Sequence, residues 1–188
     1  TLDPNFRTDM QNAHHFWADF GKDNYAGVTF SNWKDEKGNP LFLGWMSNWQ
    51  YATKVPTYKW RSSMTLARTL ELFKTANEYK LKSSLYMDSE KVASKKVKIK
   101  ETAIGEGKII VDQKEINLAS AKIKIDLKNI EENTYTFVLA NQDGDALLFG
   151  YDHNQKQFFI DRSKSGVVNF SEDFSNKLSL APRFGMED

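Results

Sequence analysis

The chain has 188 residues, of which 40% are hydrophobic and 27% are charged, a composition typical of a folded globular protein rather than a disordered one. The 26 basic and 25 acidic residues leave a formal net charge of +1, which argues against a nucleic-acid binder because such proteins carry a clear basic excess. The sequence contains no cysteine, which excludes disulfides and thiolate metal sites. No apolar run approaches the ~20 residues that a membrane-spanning helix needs.

The first third of the chain predicts antiparallel strands. The runs YAGVTFSNW (Tyr25–Trp33) and LFLGWMSNW (Leu41–Trp49) are rich in aromatic and β-branched residues. They flank the turn segment DEKGNP (Asp35–Pro40), so we predict a β-hairpin. The run SSMTLARTLELF (Ser62–Phe73) fits a helix by composition, but its alternating apolar residues favour a strand.

After about Phe73 the composition changes, because tryptophan disappears and lysine becomes frequent. The segments KKVKIKET and AKIKIDLKNI alternate charged residues with Val or Ile, which predicts strands with one buried face. The apolar positions expected to face inward are Val97, Ile99, Ile123 and Ile125, and the lysines expected to face outward are Lys96, Lys98, Lys122 and Lys124. Three further runs, NTYTFVLAN, DALLFGYD and KQFFIDRS, are joined by the turn segments NQDGD and DHNQK and predict hairpins. This regular strand spacing indicates an antiparallel β-sandwich.

The segment DFGKDNYA places two carboxylates, Asp19 and Asp23, four residues apart around a glycine. One interpretation is a site in which they accept hydrogen bonds from substrate hydroxyls or orient another group. The other, favoured by spacing alone, is a turn in which an aspartate caps backbone N–H groups. The adjacent His14 and His15 form no metal-binding spacing, so we expect neither a metal nor a cofactor.

The stretch GWMSNWQYATKVPTYKW (Gly44–Trp60) holds three of the five tryptophans of the chain beside amide side chains. Sugar sites use this combination, because the apolar face of a sugar ring stacks on indole while amides and guanidinium groups bind the hydroxyls. The alternative is that Trp45 and Trp60 are core anchors beside polar strand ends. The pattern alone does not separate the two interpretations.

These stretches also resemble a known family. DFGKDNYAGVTFSN, followed by LGWMSNWQYATKVPTYKWRSSMTLARTLEL, is similar to the C-terminal part of the catalytic propeller of glycoside hydrolase family 32, the levanases, inulinases and invertases. The later stretch LFGYDHNQKQFFIDRSKSG resembles the β-sandwich of that family, in which a strand ends in D-R-x-x-S-G. The resemblance covers about residues 19 to 180, is strongest over Asp19–Leu72, and is nearest the levanase and exo-inulinase branch.

The resemblance implies an all-β fold, the last part of a five-bladed β-propeller followed by an incomplete antiparallel β-sandwich. The expected division is residues 1–73 for the propeller blade and 74–188 for the sandwich. It also implies a retaining hydrolase of levan, inulin or sucrose, secreted, periplasmic or on the cell surface. The residues expected to bind substrate are Trp49, Trp45, Asn48, Asp23, Tyr25 and Arg61, with Trp49 as the stacking surface for the fructosyl unit.

The catalytic motifs of the family, W-M-N-D-P-N-G, R-D-P and E-C, are missing from this sequence. LDPN at Leu2–Asn5 echoes the first motif but lacks the W-M-N before it and the glycine after it, and Ala67 replaces the usual proline of T-L-P-R. We therefore expect a fragment that lacks the catalytic carboxylates and is inactive alone. Its expected partners are a fructan or sucrose-like carbohydrate and the rest of the propeller, or another copy of the chain through self-association, with no nucleic acid and no membrane. A non-catalytic carbohydrate-binding or interaction module of β-sandwich type is the alternative.

Overall fold

The computed structural model describes residues 17–76, 79–86, 89–104, 117–175 and 178–183. These residues fall into two compact units, one with residues up to 87 and from 130 onward, the other with residues 88–129. Regular structure in the described residues is almost entirely strand; the helices have one turn each, at Ser89–Val92 (α1), Glu172–Ser175 (α2) and the 3-10 turns Ala52–Lys54 and Leu118–Ser120. None of the helices in this part of the chain reaches the length and hydrophobicity that crossing a bilayer requires.

The first sheet of the larger unit confirms the predicted hairpin. Strand β1 (Tyr25–Lys34) pairs antiparallel with β2 (Pro40–Met46). In the turn between them, the Asp35 carboxylate accepts hydrogen bonds from the backbone N–H groups of Lys37 and Asn39, at 2.9 and 2.8 Å. Gly38 follows with a φ of +83°, a conformation that glycine adopts without a steric penalty. The turn chemistry of DEKGNP therefore does what the sequence predicts.

The rest of this sheet comes from residues 63–85. The short strand β3 (Ser63–Met64) and the longer β4 (Arg68–Lys74) both pair with β2, so most of the run SSMTLARTLELF is strand, as predicted, with a break at residues 65–67. Strand β5 (Tyr79–Leu85) pairs with β4 over the whole of its length. The main strand order is β1-β2-β4-β5. Strand β5 lies after residue 73, where the sequence predicts that the second domain begins.

The second sheet has four antiparallel strands in chain order. These are β6 (Thr134–Ala140), β7 (Ala146–Asp152), β8 (Gln157–Lys164) and β9 (Ser179–Pro182). The first three coincide with the predicted hairpin strands. In the β6–β7 turn, the Asn141 side-chain oxygen accepts the N–H groups of Asp143 and Asp145 at 3.0 and 2.9 Å, which is the turn chemistry expected of NQDGD.

The strand prediction for the two lysine-alternating segments is wrong in the described residues. Neither residues 93–104 nor residues 121–131 form a strand. The side chains expected inside are exposed: Val97 by 37%, Ile99 by 56%, Ile123 by 45% and Ile125 by 40%. A period-two pattern specifies which face of a strand is apolar, but a strand also needs a hydrogen-bonded neighbour. The described part of the chain offers these segments no such neighbour.

The buried core of the described residues is small and lies near both sheets of the larger unit. Its apolar members are Tyr51, Ala52 and Tyr151. Tyr51 is 2% exposed and follows β2 at the start of a 3-10 turn, whereas Tyr151 lies in β7. The largest fully buried side chain in the described residues is thus a tyrosine of the GWMSNWQY stretch, a residue type that needs a hydrogen-bond partner when buried.

Candidate functional site

Three aromatic rings of the first sheet form one group, which we call the aromatic cluster: Tyr25, Trp45 and Trp49. The ring centres of Trp45 and Trp49 are 5.3 Å apart, and Tyr25 lies 6.3 Å from Trp45 and 6.4 Å from Trp49, all in edge-to-face arrangements. Trp49 is 68% exposed and Tyr25 is 49% exposed. The cluster therefore presents indole and phenol rings to the surface while each ring supports its neighbours.

Trp45 is held from two sides. Its strand is fixed by Gly44, whose N–H donates to the Thr65 hydroxyl at 2.9 Å and whose carbonyl accepts the Thr65 N–H at 2.8 Å. A Cβ at Gly44 would lie 2.1 Å from the Asn24 side-chain oxygen, so a larger residue there would require the Asn24 side chain to move. The indole N–H of Trp45 donates to the Ser62 hydroxyl. The Trp45 ring is thus anchored, whereas Trp49 projects from the turn that follows β2.

Backbone irregularities lie on both flanks of the cluster. Ala26 has a φ of +50°, and the register of β1 against β2 shifts between Tyr25 and Val28. Ser62, which accepts the Trp45 indole N–H, has a φ of +59°. Non-glycine residues rarely adopt this left-handed conformation, and such strain concentrates at functional sites. A bulge of this kind re-aims a side chain, here Tyr25 beside Trp45.

The two aspartates of DFGKDNYA each bind an arginine, but different ones. Asp19 pairs with Arg68 of β4 at 2.6 Å and also accepts the Gly21 N–H at 2.8 Å and the Asn24 amide at 3.1 Å. Burial raises the pKa of the Asp19 carboxyl, but the hydrogen bonds from Gly21, Arg68 and Asn24 outweigh it, so the pKa lies below its ordinary value. Asp19 is therefore a turn residue that ties the chain before β1 to the first sheet.

Asp23 joins a second network, which we call the Arg162 network: Asp23, Asn48, Tyr51 and Arg162. One oxygen of Asp23 accepts the Tyr51 hydroxyl and the Asn48 amide, the latter at 3.3 Å, and the other oxygen pairs with the Arg162 guanidinium. Arg162 also donates to the Tyr51 hydroxyl at 2.7 Å. Because Arg162 lies in β8, this network connects the two sheets of the larger unit.

Aromatic rings surround the Arg162 network. The guanidinium of Arg162 lies 3.7 Å from the ring centre of Phe174, and its Nε donates to the Phe174 carbonyl at 2.9 Å. Tyr51 packs edge-to-face on Phe174 at 5.4 Å and on Phe170 at 6.3 Å. Burial, and then the hydrogen bond to Asp23, raise the pKa of the Tyr51 hydroxyl to about 12. The phenol is therefore a neutral donor at ordinary pH.

The structure brings together five of the six residues expected to bind substrate. Tyr25, Trp45 and Trp49 form the aromatic cluster, and Asp23 and Asn48 lie in the Arg162 network, which adjoins the cluster because Asn48 precedes Trp49. Arg61 is separate from both: its guanidinium donates to the carbonyl oxygens of Thr53 and Val55, at 2.9 and 2.7 Å, and so closes the loop after the 3-10 turn.

His14, His15 and the LDPN segment (Leu2–Asn5) lie outside the described residues. The structure therefore does not test the predictions made for them. Among the residues described, no three His, Asp or Glu side chains come close enough to hold a metal ion. The site at the surface is therefore made of aromatic rings, amides and paired carboxylates.

Two family models match the chain end to end. The N-terminal domain of glycosyl hydrolases family 32 matches residues 2–84, and the C-terminal domain of the same family matches residues 81–186. The chain belongs to glycosyl hydrolase family 32.

Relatives within family 32 agree with this assignment. A levanase of Bacillus subtilis is 31% identical over 172 residues, which are 88% of this chain and 25% of the levanase. An extracellular exo-inulinase of Meyerozyma guilliermondii is 33% identical over 168 residues, which are 86% of this chain and 32% of that protein. The chain thus spans between a quarter and a third of the length of these two relatives.

Solved structures support the family 32 fold. An exo-inulinase from Aspergillus awamori superposes with a TM-score of 0.63 at 23% identity, covering 88% of this chain and 32% of that one. At this identity the likeness concerns the fold alone. The chain is accordingly an all-β protein with the sheet architecture of the family 32 propeller and β-sandwich enzymes.

The Arg162 network and the rings around it also contain residues that the sequence analysis did not select: Tyr51, Arg162 and Phe174. Tyr51 ends the GWMSNWQY stretch, and Arg162 is the arginine of the D-R-x-x-S-G stretch by which the sandwich resembles the family. Both therefore lie inside the stretches by which the sequence resembles the family. Their place in those stretches was the sequence signal that could have selected them. Phe174 lies outside the quoted motifs, and no local pattern marks it.

Proposed function

We propose that this chain supplies part of a retaining β-fructosidase, a hydrolase of levan, inulin or sucrose type. In this proposal the aromatic cluster forms one wall of the substrate pocket, and Trp49 stacks on a fructosyl unit. The observation that carries it is the 68% exposure of Trp49 within a group of three packed rings. A large apolar ring held at the surface by its neighbours is an arrangement that binding sites use.

The relatives support the choice of substrate class. The two proteins described above are named a levanase and an exo-inulinase, enzymes of fructose polymers. An indole beside amide side chains suits a neutral, hydroxyl-rich ligand, because the ring takes the C–H face of the sugar and the polar groups take its hydroxyls. Secretion of the parent enzyme is part of the proposal and is supported by the relative that is named extracellular.

The same proposal assigns the catalytic carboxylates to residues outside this sequence. Retaining glycosidases need a nucleophile and an acid/base about 5–5.5 Å apart. The motifs that supply them in family 32, W-M-N-D-P-N-G, R-D-P and E-C, do not occur in the 188 residues. Asp19 and Asp23 are each engaged by an arginine and by at least two further donors, which suits support of the site rather than proton transfer.

Asp23 and Asn48 then have a supporting role in substrate binding. Both of the Asp23 oxygens are taken by protein donors, and the Asn48 amide donates to the Lys22 carbonyl at 3.0 Å as well as to Asp23. They hold the turn that carries Trp49. Arg61, bound to two backbone carbonyls, supports the loop after it.

The rest of the propeller is the proposed partner of the edge strand β1. Within the part of the chain that the structure describes, strand β1 pairs with β2 alone, and it carries exposed apolar side chains, with Val28 at 63% and Phe30 at 43%. Unpaired strand edges and apolar patches favour association with other chains. The 188-residue chain alone is therefore expected to self-associate in a sedimentation-velocity concentration series. A monomer at every concentration, with its tryptophans shielded from a soluble quencher, would contradict this part of the proposal.

The experiment that tests the function compares two proteins. One is the product of the complete open reading frame that contains this sequence, and the matched control is the 188-residue chain. We expect the complete product to release fructose from levan, inulin or sucrose and the chain alone to release none. The proposal fails if the complete product hydrolyses no fructoside and only binds carbohydrate, which is the behaviour of a non-catalytic module. It also fails if the repurified chain alone turns over substrate.

A further inference from the structure

Arg162 connects the two sheets of the larger unit through several contacts of one side chain. It lies in β8 of the second sheet, yet its guanidinium contacts Asp23 and Tyr51, which flank the first sheet. On the other side, its Nε donates to the Phe174 carbonyl and its plane lies on the Phe174 ring. Arginine suits this position because its planar fork donates in several fixed directions at once.

The contacts of Arg162 lead directly to the turn that carries Trp49. Tyr51 lies two residues after Trp49. Its hydroxyl accepts a hydrogen bond from Arg162 and donates one to Asp23. Asn48 immediately precedes Trp49, and its amide donates to the same oxygen of Asp23. The turn is therefore tied at both of its ends to Asp23, and Asp23 is tied to Arg162.

Within the turn itself, the hydrogen bonds are short-range. The side-chain oxygen of Asn48 accepts the Gln50 N–H at 3.0 Å. The backbone carbonyl of Asn48 accepts the Ala52 N–H, also at 3.0 Å. These bonds fix the shape of the turn but not its direction relative to the sheet. The direction depends on contacts with residues distant in sequence: Asp23 and Arg162 hydrogen-bond to the turn, the Lys22 carbonyl accepts the Asn48 amide, and Tyr51 packs on Phe170 and Phe174.

The Trp49 side chain contributes little to its own placement. It is 68% exposed and rests edge-on against Trp45 and Tyr25. Edge-to-face contacts of this kind are individually weak and cannot hold an exposed ring in place if the turn beneath it moves. The orientation of the indole therefore follows the orientation of the turn.

We infer that Arg162 is a positioning residue: from the second sheet, it fixes the turn of residues 48–51 so that the Trp49 indole stays edge-on to Trp45. The effect of this positioning on substrate binding rests on the proposed function, in which the Trp49 indole stacks on the fructosyl unit. A site on the first sheet would thus depend on an arginine of the sandwich, more than one hundred positions along the chain.

The test uses the electronic coupling between the two indoles, which needs no sugar. Two tryptophan rings 5.3 Å apart at a fixed angle give an exciton couplet in circular dichroism, and Trp45→Phe assigns it. We expect Arg162→Met to abolish most of the couplet in the folded 188-residue chain and to make Trp49 more accessible to iodide. Arg162→Lys keeps the charge but not the fork, so it should retain part of the couplet; it is the deciding variant if Arg162→Met does not fold.

The matched control is Arg183→Met. Arg183 follows β9 of the same sheet, donates to the Tyr151 hydroxyl at 3.0 Å and lies 5.6 Å from the Tyr151 ring centre, contacts made with β7. The control should keep the couplet. A full couplet in folded Arg162→Met and Arg162→Lys overturns the inference, and so does an equal loss in Arg183→Met.

A second measurement separates the inference from the proposed function. In the product of the complete reading frame, Arg162→Lys should raise KM for fructosides by about threefold to tenfold with little change in kcat, the range expected from weakened stacking. A lost couplet with unchanged KM supports the positioning role and contradicts the fructosyl contact. An intact couplet with raised KM overturns the positioning role and leaves the proposed contact standing.

Discussion

Asp19 and Asp23 are the same residue type, stand four positions apart, and each binds an arginine, yet they do different work. Asp19 pairs with Arg68 within the first sheet, 49 positions away, and receives its other hydrogen bonds from its own turn. Asp23 pairs with Arg162 of the second sheet, 139 positions away, and receives its other hydrogen bonds from the turn that carries Trp49. One carboxylate closes a local turn, and the other joins two sheets.

The difference shows that the surroundings of an ion pair decide its consequences. The side chains of the two pairs are similarly exposed, at 23% each for Arg68 and Asp19 and at 19% and 20% for Arg162 and Asp23. Arg162 also satisfies the Tyr51 hydroxyl and the Phe174 carbonyl and lies on an aromatic ring. Arg162 thus donates to three groups, the Asp23 carboxylate, the Tyr51 hydroxyl and the Phe174 carbonyl, whereas the contact of Arg68 in this region is with Asp19.

The largest expected effect is on the free energy of unfolding when each arginine is replaced by methionine. Arg162→Met should destabilise the chain by about 3 kcal/mol, because it removes the charged partner of Asp23, a hydrogen bond to the Tyr51 hydroxyl and a cation–π contact with Phe174. Arg68→Met should lose about 1 kcal/mol, because Asp19 keeps its turn hydrogen bonds. Urea denaturation of the two variants measures both. Equal losses would erase the distinction between the two aspartates.

Tyr51→Phe removes the hydroxyl that hydrogen-bonds to Asp23; the contacts of Asp19 described above include no such hydroxyl. The variant keeps the ring but removes a donor to Asp23 and an acceptor for Arg162, so we expect a loss of about 1–3 kcal/mol near neutral pH. The pKa of Tyr51 is raised to about 12, above the value of ~10 in the unfolded chain, so its contribution is complete below pH ~10 and is lost as pH rises toward 12.

The wild type and Tyr51→Phe should therefore converge in stability between pH ~10 and ~12. Urea denaturation of both proteins across this interval gives the difference directly. A difference that stays constant with pH would mean that the phenol is not protected by its burial and by Asp23.

Asp19→Asn tests the other aspartate and should change the free energy of unfolding the least of these variants. The pKa of Asp19 is lowered in the folded chain, because its hydrogen bonds outweigh the opposing effect of burial. A lowered pKa contributes stability above the unfolded value of ~3.9 that is lost as pH falls through the folded value. We expect Asp19→Asn to lose about 1 kcal/mol near pH 7 and to depend less steeply on pH below ~4.

Acid titration of unfolding free energy in both proteins measures this change. The slope of unfolding free energy against pH should flatten only in part in Asp19→Asn. Asp35 and Asp161 keep their own dependence on pH, since their pKa values are also lowered by hydrogen bonds to their neighbours. An unchanged slope in Asp19→Asn would remove Asp19 from the groups that stabilise the folded chain through ionisation.

Local patterns predicted the local parts of this molecule. The β1–β2 hairpin follows from two β-rich runs around a turn segment, and β6, β7 and β8 follow from the same signal. The aromatic cluster could be anticipated because Trp45 and Trp49 lie within one short stretch and Tyr25 pairs with Trp45 across the hairpin. Each of these features depends on neighbours in sequence or on one turn.

The Arg162 network could not be predicted in this way. Nothing near Asp23 indicates that its partner lies 139 positions later, and the DFGKD spacing favours a simple turn, which Asp19 indeed forms. The lysine-alternating segments fail for a related reason, because alternation around Val97 and Ile123 specifies a face but not the neighbouring strand. Long-range pairing was the missing information in both cases.

The most direct test of the account compares two tryptophans in the product of the complete reading frame. Trp49 belongs to the exposed cluster, whereas Trp33 lies at the other end of β1 and packs edge-to-face on Tyr86 at 4.7 Å. We predict that Trp49→Ala lowers kcat/KM for fructosides by about tenfold, as expected from the loss of a stacking contact, and that Trp33→Ala, at matched stability, changes it by less than about twofold. Equal effects of the two substitutions would contradict the claim that the cluster contacts the sugar.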